Sequence, residues 1–379
     1  MKNIFKNRLL LIIVLAILSR LLLLGGSLLV NNNLVENWVH FDGEWYIDIA
    51  KNGYDSEYPS VTPENLLCNE GTGFCQRNFA FFPLYPMTMN VVHEISGLSI
   101  ELSGILISNI AFVLAVLVLF KFTKQVFSQK IAVISSILLI VFPIGYVFSA
   151  VMSESLFLLL LLLTLYFAFN NKYVLAGVSG LVLTATRNIG VLVLIPLIFL
   201  YWQQNKKEIL LKQINWKIIV CMLMVPAGLI FFGLYLNLRV NDFLAFIHIQ
   251  AYWEKPVLGL NPIFAIPFSI FDYRLEGSFR NHLYNLTWFA GIVILFFFSS
   301  KKKLLPAFLN NIFLWFIIPL TAGSMLALPR YICIQFPIYI SFAKLLVKNK
   351  IILYITITIC FLALLLLTLL YIKGFWITV

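Results

Sequence analysis

The chain has too little charge to be an ordinary soluble protein. Asp, Glu, Lys and Arg make up 11% of its 379 residues, while 61% are hydrophobic. Soluble domains carry about 25% charged and roughly 45–50% apolar residues. This shortage excludes a water-soluble globular fold, because nothing could cover so much apolar surface. Uncharged apolar stretches recur along the chain instead, each near the length of about 20 residues that crosses roughly 30 Å of hydrocarbon. They predict about eleven spans, near 9–30, 103–121, 131–151, 154–169, 173–186, 188–202, 218–238, 285–299, 306–327, 331–347 and 351–372. There is no internal repeat, low-complexity tract or long linker. The expected fold class is therefore all-α, a polytopic membrane bundle forming one domain over 1–379. Lys2, Lys6 and Arg8 precede a long apolar run with no small-residue cleavage site, which reads as a retained first span and not as a signal peptide.

Acidic residues are scarcer than basic ones and unevenly placed. The balance of 27 Lys and Arg against 16 Asp and Glu gives a net charge of +11. With the N-terminus inside, 17 of the 27 basic residues fall in inner loops and Glu208 is the one acidic residue there, as the positive-inside rule expects. The basic excess reports orientation in a lipid bilayer, so no nucleic-acid partner is expected. Heavy use of Lys, Ile and Asn points to a prokaryotic plasma membrane, with the endoplasmic reticulum as the alternative.

Other absences narrow the chemistry. The inner side lacks the acidic metal ligands and the phosphate-cradling glycine loop that a cytoplasmic nucleotide-sugar enzyme needs. Sugar transfer would then take place outside, with a sugar on a polyprenyl phosphate as the natural donor. The histidines His40, His93, His248 and His282 have no metal-binding spacing. No Ser-His-Asp or Cys-His nucleophile pattern is present. The five cysteines form no metal framework, and Cys68 and Cys75, in the first outer loop, are open to a disulfide or to two free thiols.

What is present lies mostly in two outer segments too long to be turns, 31–102 and 239–284. The first carries ten of the sixteen carboxylates; the second mixes Trp253, Pro256, Pro262 and Pro267 with apolar residues. Within the first, HFDGEWYIDIAKNGY at 40–54 places Phe41, Trp45 and Ile49 on one side of a short helix. Asp42 stands at its start, where a carboxylate can cap free N–H groups. The run NFAFFPLYP at 78–86 is too proline-rich for a regular helix and reads as a stiff apolar loop suited to gripping a lipid. Arg20, Glu154, Arg187 and Arg330 are charges in or at the ends of spans, which are costly and mark candidate sites. Arg330, then Arg187, are the candidates for phosphate contact, since the guanidinium fork suits phosphate oxygens. Arg20 and Glu154 read equally well as structural, Arg20 paired with a carboxylate or snorkelling and Glu154 bridged to an arginine.

FDGEWYIDIAKNGY at 41–54 followed by FAFFPLYP at 79–86 closely resembles the signature of the PIG-V family of GPI mannosyltransferases and their prokaryotic relatives. SAVMSESLF at 149–157, TATRNIG at 184–190, and LPRY at 328–331 with Pro337 fit in order. Phe41 stands where relatives often have Trp, which leaves the carboxylate in place. The resemblance implies a GT-C-like bundle with a large first extracytoplasmic loop. It also implies a polyprenyl- or dolichyl-phosphate sugar donor, with mannose as the sugar, and a glycolipid, glycan or protein acceptor. Asp42 is then expected to be the general base of an inverting transfer. Arg330, Arg187, Glu44, Tyr46, Asp48, His40 and Glu154 are the expected substrate-binding residues; His40 would orient the acceptor, although a solvent-facing loop histidine is the preferred account of it. Asp42-Gly43-Glu44 also has acidic spacing suited to Mg²⁺ or Mn²⁺, although surface solvation is the preferred account of Glu44 and Asp48; no other cofactor is expected. The rival class is a transporter or flippase for a lipid-linked substrate. Transporters commonly show two related halves, and this sequence has none.

Overall fold

The computed structural model describes residues 2–56, 77–204, 215–249 and 328–375. Among the described residues the regular structure is helical: α1 (Lys2–Ser27), α2 (Leu34–Trp38), α3 (Asp42–Asn52), α4 (Leu84–Ser96), α5 (Ile100–Val126), α6 (Gln129–Ile140), α7 (Glu154–Phe169), α8 (Tyr173–Thr184), α9 (Leu194–Gln204), α10 (Trp216–Val240), α11 (Ala245–His248), α12 (Leu328–Cys333), α13 (Phe336–Leu346) and α14 (Lys350–Ile372). Four are long and apolar enough to cross a membrane: Arg8–Ser27 of α1, α5, α10 and α14. The shorter apolar helices are α6, α7, α8, Asn188–Gln204 and α13. The spans expected at 285–299 and 306–327, most of the segment 239–284, and Cys68 with Cys75 lie outside the described residues.

Local chemistry sets several helix ends. Ser99 accepts from the Leu102 N–H at the start of α5, and Asn349 accepts from Ile351 and Ile352 at the start of α14, satisfying donors that a helix leaves unpaired. Gly97, at φ 72°, closes α4 in the left-handed region that glycine enters without strain. α8 packs along α10, and small residues allow the approach. A Cβ on Gly228 would overlap the Leu181 carbonyl oxygen, and one on Gly180 would come 2.5 Å from Val225 Cγ2. Such close crossings are how helices associate in lipid, where apolar burial supplies no drive.

Two expected spans are broken. The span expected at 131–151 stops as a helix at Ile140 and continues through a short 3-10 turn, Gly145–Phe148, to Ser153. Pro143 cannot continue a helix. The irregular backbone is buried in protein, the one setting in which it is tolerated at membrane depth. Arg20 supplies much of the compensation. It is buried on α1, and it donates to Gly145 O (2.7 Å), Ile140 O (3.3 Å) and Ser149 Oγ (3.3 Å). Its guanidinium also lies 4.2 Å from the centre of the Phe112 ring. Among the described residues Arg20 therefore pairs with no carboxylate, and its burial rules out snorkelling; it holds the broken helix. The span expected at 331–347 likewise divides at Ile334 and Gln335, because Pro337 has no N–H for the Cys333 carbonyl and its ring would clash there, so one helix cannot run through.

The aromatic run at 78–86 is irregular only as far as Pro83. Leu84, Tyr85 and Pro86 already form the first turn of α4, where a missing proline N–H costs nothing.

Arg20→Leu is expected to leave the Gly145 and Ile140 carbonyls unpaired, at a cost of about 2–4 kcal/mol. A lowered thermal unfolding midpoint of the detergent-purified protein would register it; an unchanged midpoint would contradict the bracing role.

Candidate functional site

Four charged residues distant in sequence meet at the helix ends opposite the lysine-bearing loops. Glu154 opens α7, Arg187 follows α8, Arg330 lies in α12 and Asp42 opens α3. Glu154 Oε1 accepts from Arg187 Nη1 (2.7 Å) and from Arg330 Nη2 (2.7 Å) and Nε (3.0 Å). Arg330 Nη2 also donates to Asp42 Oδ2 at 2.5 Å. Side-chain exposure rises outward, from 0% for Glu154 and 4% for Arg330 to 15% for Arg187 and 22% for Asp42. Two carboxylates thus face two guanidiniums, and burial outside bulk water makes each pairing count for more than a surface bridge. Both arginines share one oxygen of Glu154, and among the described residues Oε2 has no hydrogen-bond partner.

Backbone geometry fixes Asp42 in the cluster. Phe41 adopts φ 55°, ψ −117°, a conformation L-residues rarely enter; strain of this kind gathers at functional positions. The N-cap of α3 is Phe41, with no side-chain cap bond, so Asp42 is the first helical residue and its carboxylate goes to Arg330. The capping role expected for Asp42 is thereby corrected: Arg330 competes successfully for the carboxylate. Gly43 permits the close approach behind it, since a Cβ there would sit 3.0 Å from the Val151 carbonyl oxygen. Val151 N–H in turn donates to Trp38 O (3.1 Å), tying the SAVMSES segment to the first loop.

The other expected residues divide. Tyr46 is buried, and its hydroxyl is 2.8 Å from Ser153 Oγ, directly behind Glu154. Asp48 faces elsewhere: it accepts from Asn52 Nδ2 (2.8 Å) and Asn78 Nδ2 (3.1 Å), and Asn78 donates also to Gly53 O (3.1 Å). Asp48 therefore anchors the start of the aromatic run to α3. Glu44 is exposed, as two residues' spacing on a helix turns it away from Asp42. Among the described residues no group of three or more His, Cys, Asp or Glu is placed to hold a metal. His40 is half-buried beside the Tyr371 ring, 5.1 Å between centroids. Burial pushes its imidazole pKa below the ordinary value, against smaller upward pulls from the Ile372 backbone and Glu44.

Three neighbours escaped the sequence reading. Tyr331, the last residue of the LPRY motif, lies under the Arg187 guanidinium, 5.5 Å from the ring centre. Gln335 is buried with neither amide atom hydrogen-bonded among the described residues. Tyr371, near the end of α14, carried no signal beyond an aromatic at a membrane interface.

Several known proteins resemble this chain in fold. A family model described as dolichyl-phosphate-mannose-protein mannosyltransferase matches residues 82–231, under half of the chain. The structure is similar to that of ArnT from Cupriavidus metallidurans bound to undecaprenyl phosphate, with a TM-score of 0.53 and 14% identity over 97% of this chain and 73% of that one. The apo state of ArnT aligns with a TM-score of 0.52 and 13% identity over 91% of this chain and 60% of that one. The fold is therefore a GT-C-like bundle of membrane helices. The apo oligosaccharyltransferase of Archaeoglobus fulgidus aligns with a TM-score of 0.52 and 15% identity over 98% of this chain, which spans 55% of that protein. No curated protein matches the sequence.

Within this GT-C fold Glu154→Gln is expected to strand positive charge in a buried site and to destabilise by about 3–5 kcal/mol. A thermal midpoint equal to that of the wild type would show that the arginines do not depend on Glu154.

Proposed function

We propose that the protein is an inverting glycosyltransferase that moves a sugar from a polyprenyl- or dolichyl-phosphate donor to an extracytoplasmic acceptor. One observation carries this reading: a part-exposed carboxylate, Asp42, shares the Arg330 guanidinium with a fully buried one, Glu154. Glu154 keeps both arginines at the membrane's outer edge, where a lipid phosphate would arrive. The phosphate oxygens suit the guanidinium forks, and a phosphate on Arg330 competes with Asp42 for the same donor group. Donor binding thus releases Asp42 beside the sugar.

The acceptor hydroxyl then attacks the anomeric carbon as Asp42 takes its proton. The bond between that carbon and the phosphate oxygen breaks, and the electron pair leaves with the lipid phosphate, whose charge Arg330 and Arg187 meet. Attack opposite the leaving group inverts the anomeric centre. Preorganised positive charge at the leaving group is the kind of stabilisation that lowers such barriers.

The sugar we infer is mannose. That inference draws on the PIG-V-like motifs at 41–54 and 79–86 and on the mannosyl donor in the matching family's description. The charge pattern of the loops supports the cluster facing outward, and the heavy use of Lys, Ile and Asn supports a prokaryotic plasma membrane over the endoplasmic reticulum.

Asp42→Asn should fold normally and lose about 10²–10⁴ in turnover, the ordinary contribution of a positioned base. The assay is transfer of radiolabelled mannose from synthetic polyprenyl-phosphate mannose to membrane lipids by purified protein in liposomes. Wild-type-like transfer by the folded variant would end the base assignment.

A further inference from the structure

Beside the charged cluster lies a neutral one that the transfer step leaves unused. Tyr371 is fully buried, and among the described residues its hydroxyl has no hydrogen-bond partner. Its ring packs on Trp38, His40, Phe41 and Tyr146, with centroids 6.1, 5.1, 6.2 and 5.1 Å away. The hydroxyl sits by the His40 backbone amide without hydrogen-bond geometry, and within electrostatic reach of Arg330, Asp42 and Glu154. His40 Nε2 is a second buried atom without a partner among the described residues. A buried hydroxyl left unpaired costs stability. Phenylalanine would fill the same space without that cost, and this chain uses Phe 35 times against 16 for Tyr.

We propose that Tyr371, with His40 Nε2 beside it, forms a subsite that reads a substrate hydroxyl group next to the reacting centre. A phenol and a neutral imidazole can each donate and accept, as a sugar hydroxyl requires. A phosphate is better matched by the neighbouring arginines. The hydroxyl belongs either to the donor sugar or to the acceptor, and both would pass within reach of Asp42. The subsite rests on the glycosyl-transfer reading given above.

Tyr371→Phe separates the cases, because it keeps the ring packing and removes only the unpaired oxygen. The variant and wild type would be compared in liposomes with polyprenyl-phosphate mannose, glucose and galactose, reading transfer to membrane lipids, donor hydrolysis without acceptor, and the thermal midpoint. The expected result is a midpoint equal to or above wild type with transfer about tenfold slower. If the hydroxyl is the donor's, hydrolysis falls with transfer, and the ratio of the two proteins' rates differs among the three sugars. If it is the acceptor's, hydrolysis is unchanged. Unchanged transfer, or slower transfer that tracks a lowered midpoint, overturns the subsite and leaves the glycosyl-transfer reading standing. A wild type that transfers from no donor overturns that reading, and the subsite with it.

Discussion

Two guanidiniums share one oxygen of a carboxylate that has no contact with solvent. Removing a carboxylate and two arginines from water is costly, and their mutual attraction offsets that cost only with close hydrogen-bonded geometry. Glu154 meets the condition for Arg187 and Arg330 at 2.7 Å each. The consequence is that segments near residues 154, 187 and 330 must converge at one end of the bundle. Asp42 then joins from the first loop by binding the outer side of Arg330.

The scaffold around this contact serves to hold it. Arg20 secures the broken helix that leads into Glu154, and the Val151 N–H joins that same segment to Trp38 in the first loop. The Leu84 N–H donates to Ala185 O (3.0 Å), which ties the aromatic run to the turn carrying Arg187. Tyr54 Oη donates to Phe81 O (2.7 Å), so the far end of the loop is pinned as well. Irregular backbone is concentrated here, among protein, while the long apolar helices carry large exposed side chains suited to lipid.

The all-α membrane bundle could be read from composition and run length alone, because hydropathy is a strong constraint in a chain this apolar. Individual residues were legible when their cost was visible: a Glu or Arg within an apolar run invites a search for its partner, as with Glu154, Arg187 and Arg330. Partner identity was less legible. Arg20 bonds to carbonyls of a broken helix, and sequence hydropathy does not register that break even though Pro143 is present. Asp48 and Asp42 stand in one motif, yet helix geometry sends the first to Asn78 and the second to Arg330. Tyr371 could not be found at all, because what sets it apart, a buried hydroxyl without a partner among the described residues, is a property of packing.

In the proposed reaction Asp42 is both the base and the group that a donor phosphate must displace from Arg330. The most direct measurement is the affinity of the purified protein for polyprenyl phosphate, compared between wild type and Asp42→Asn at fixed ionic strength. An amide competes for the guanidinium less strongly than a carboxylate and repels no phosphate. The predicted result is several-fold tighter binding by the variant, and equal or weaker binding would contradict the displacement of Asp42 by the donor.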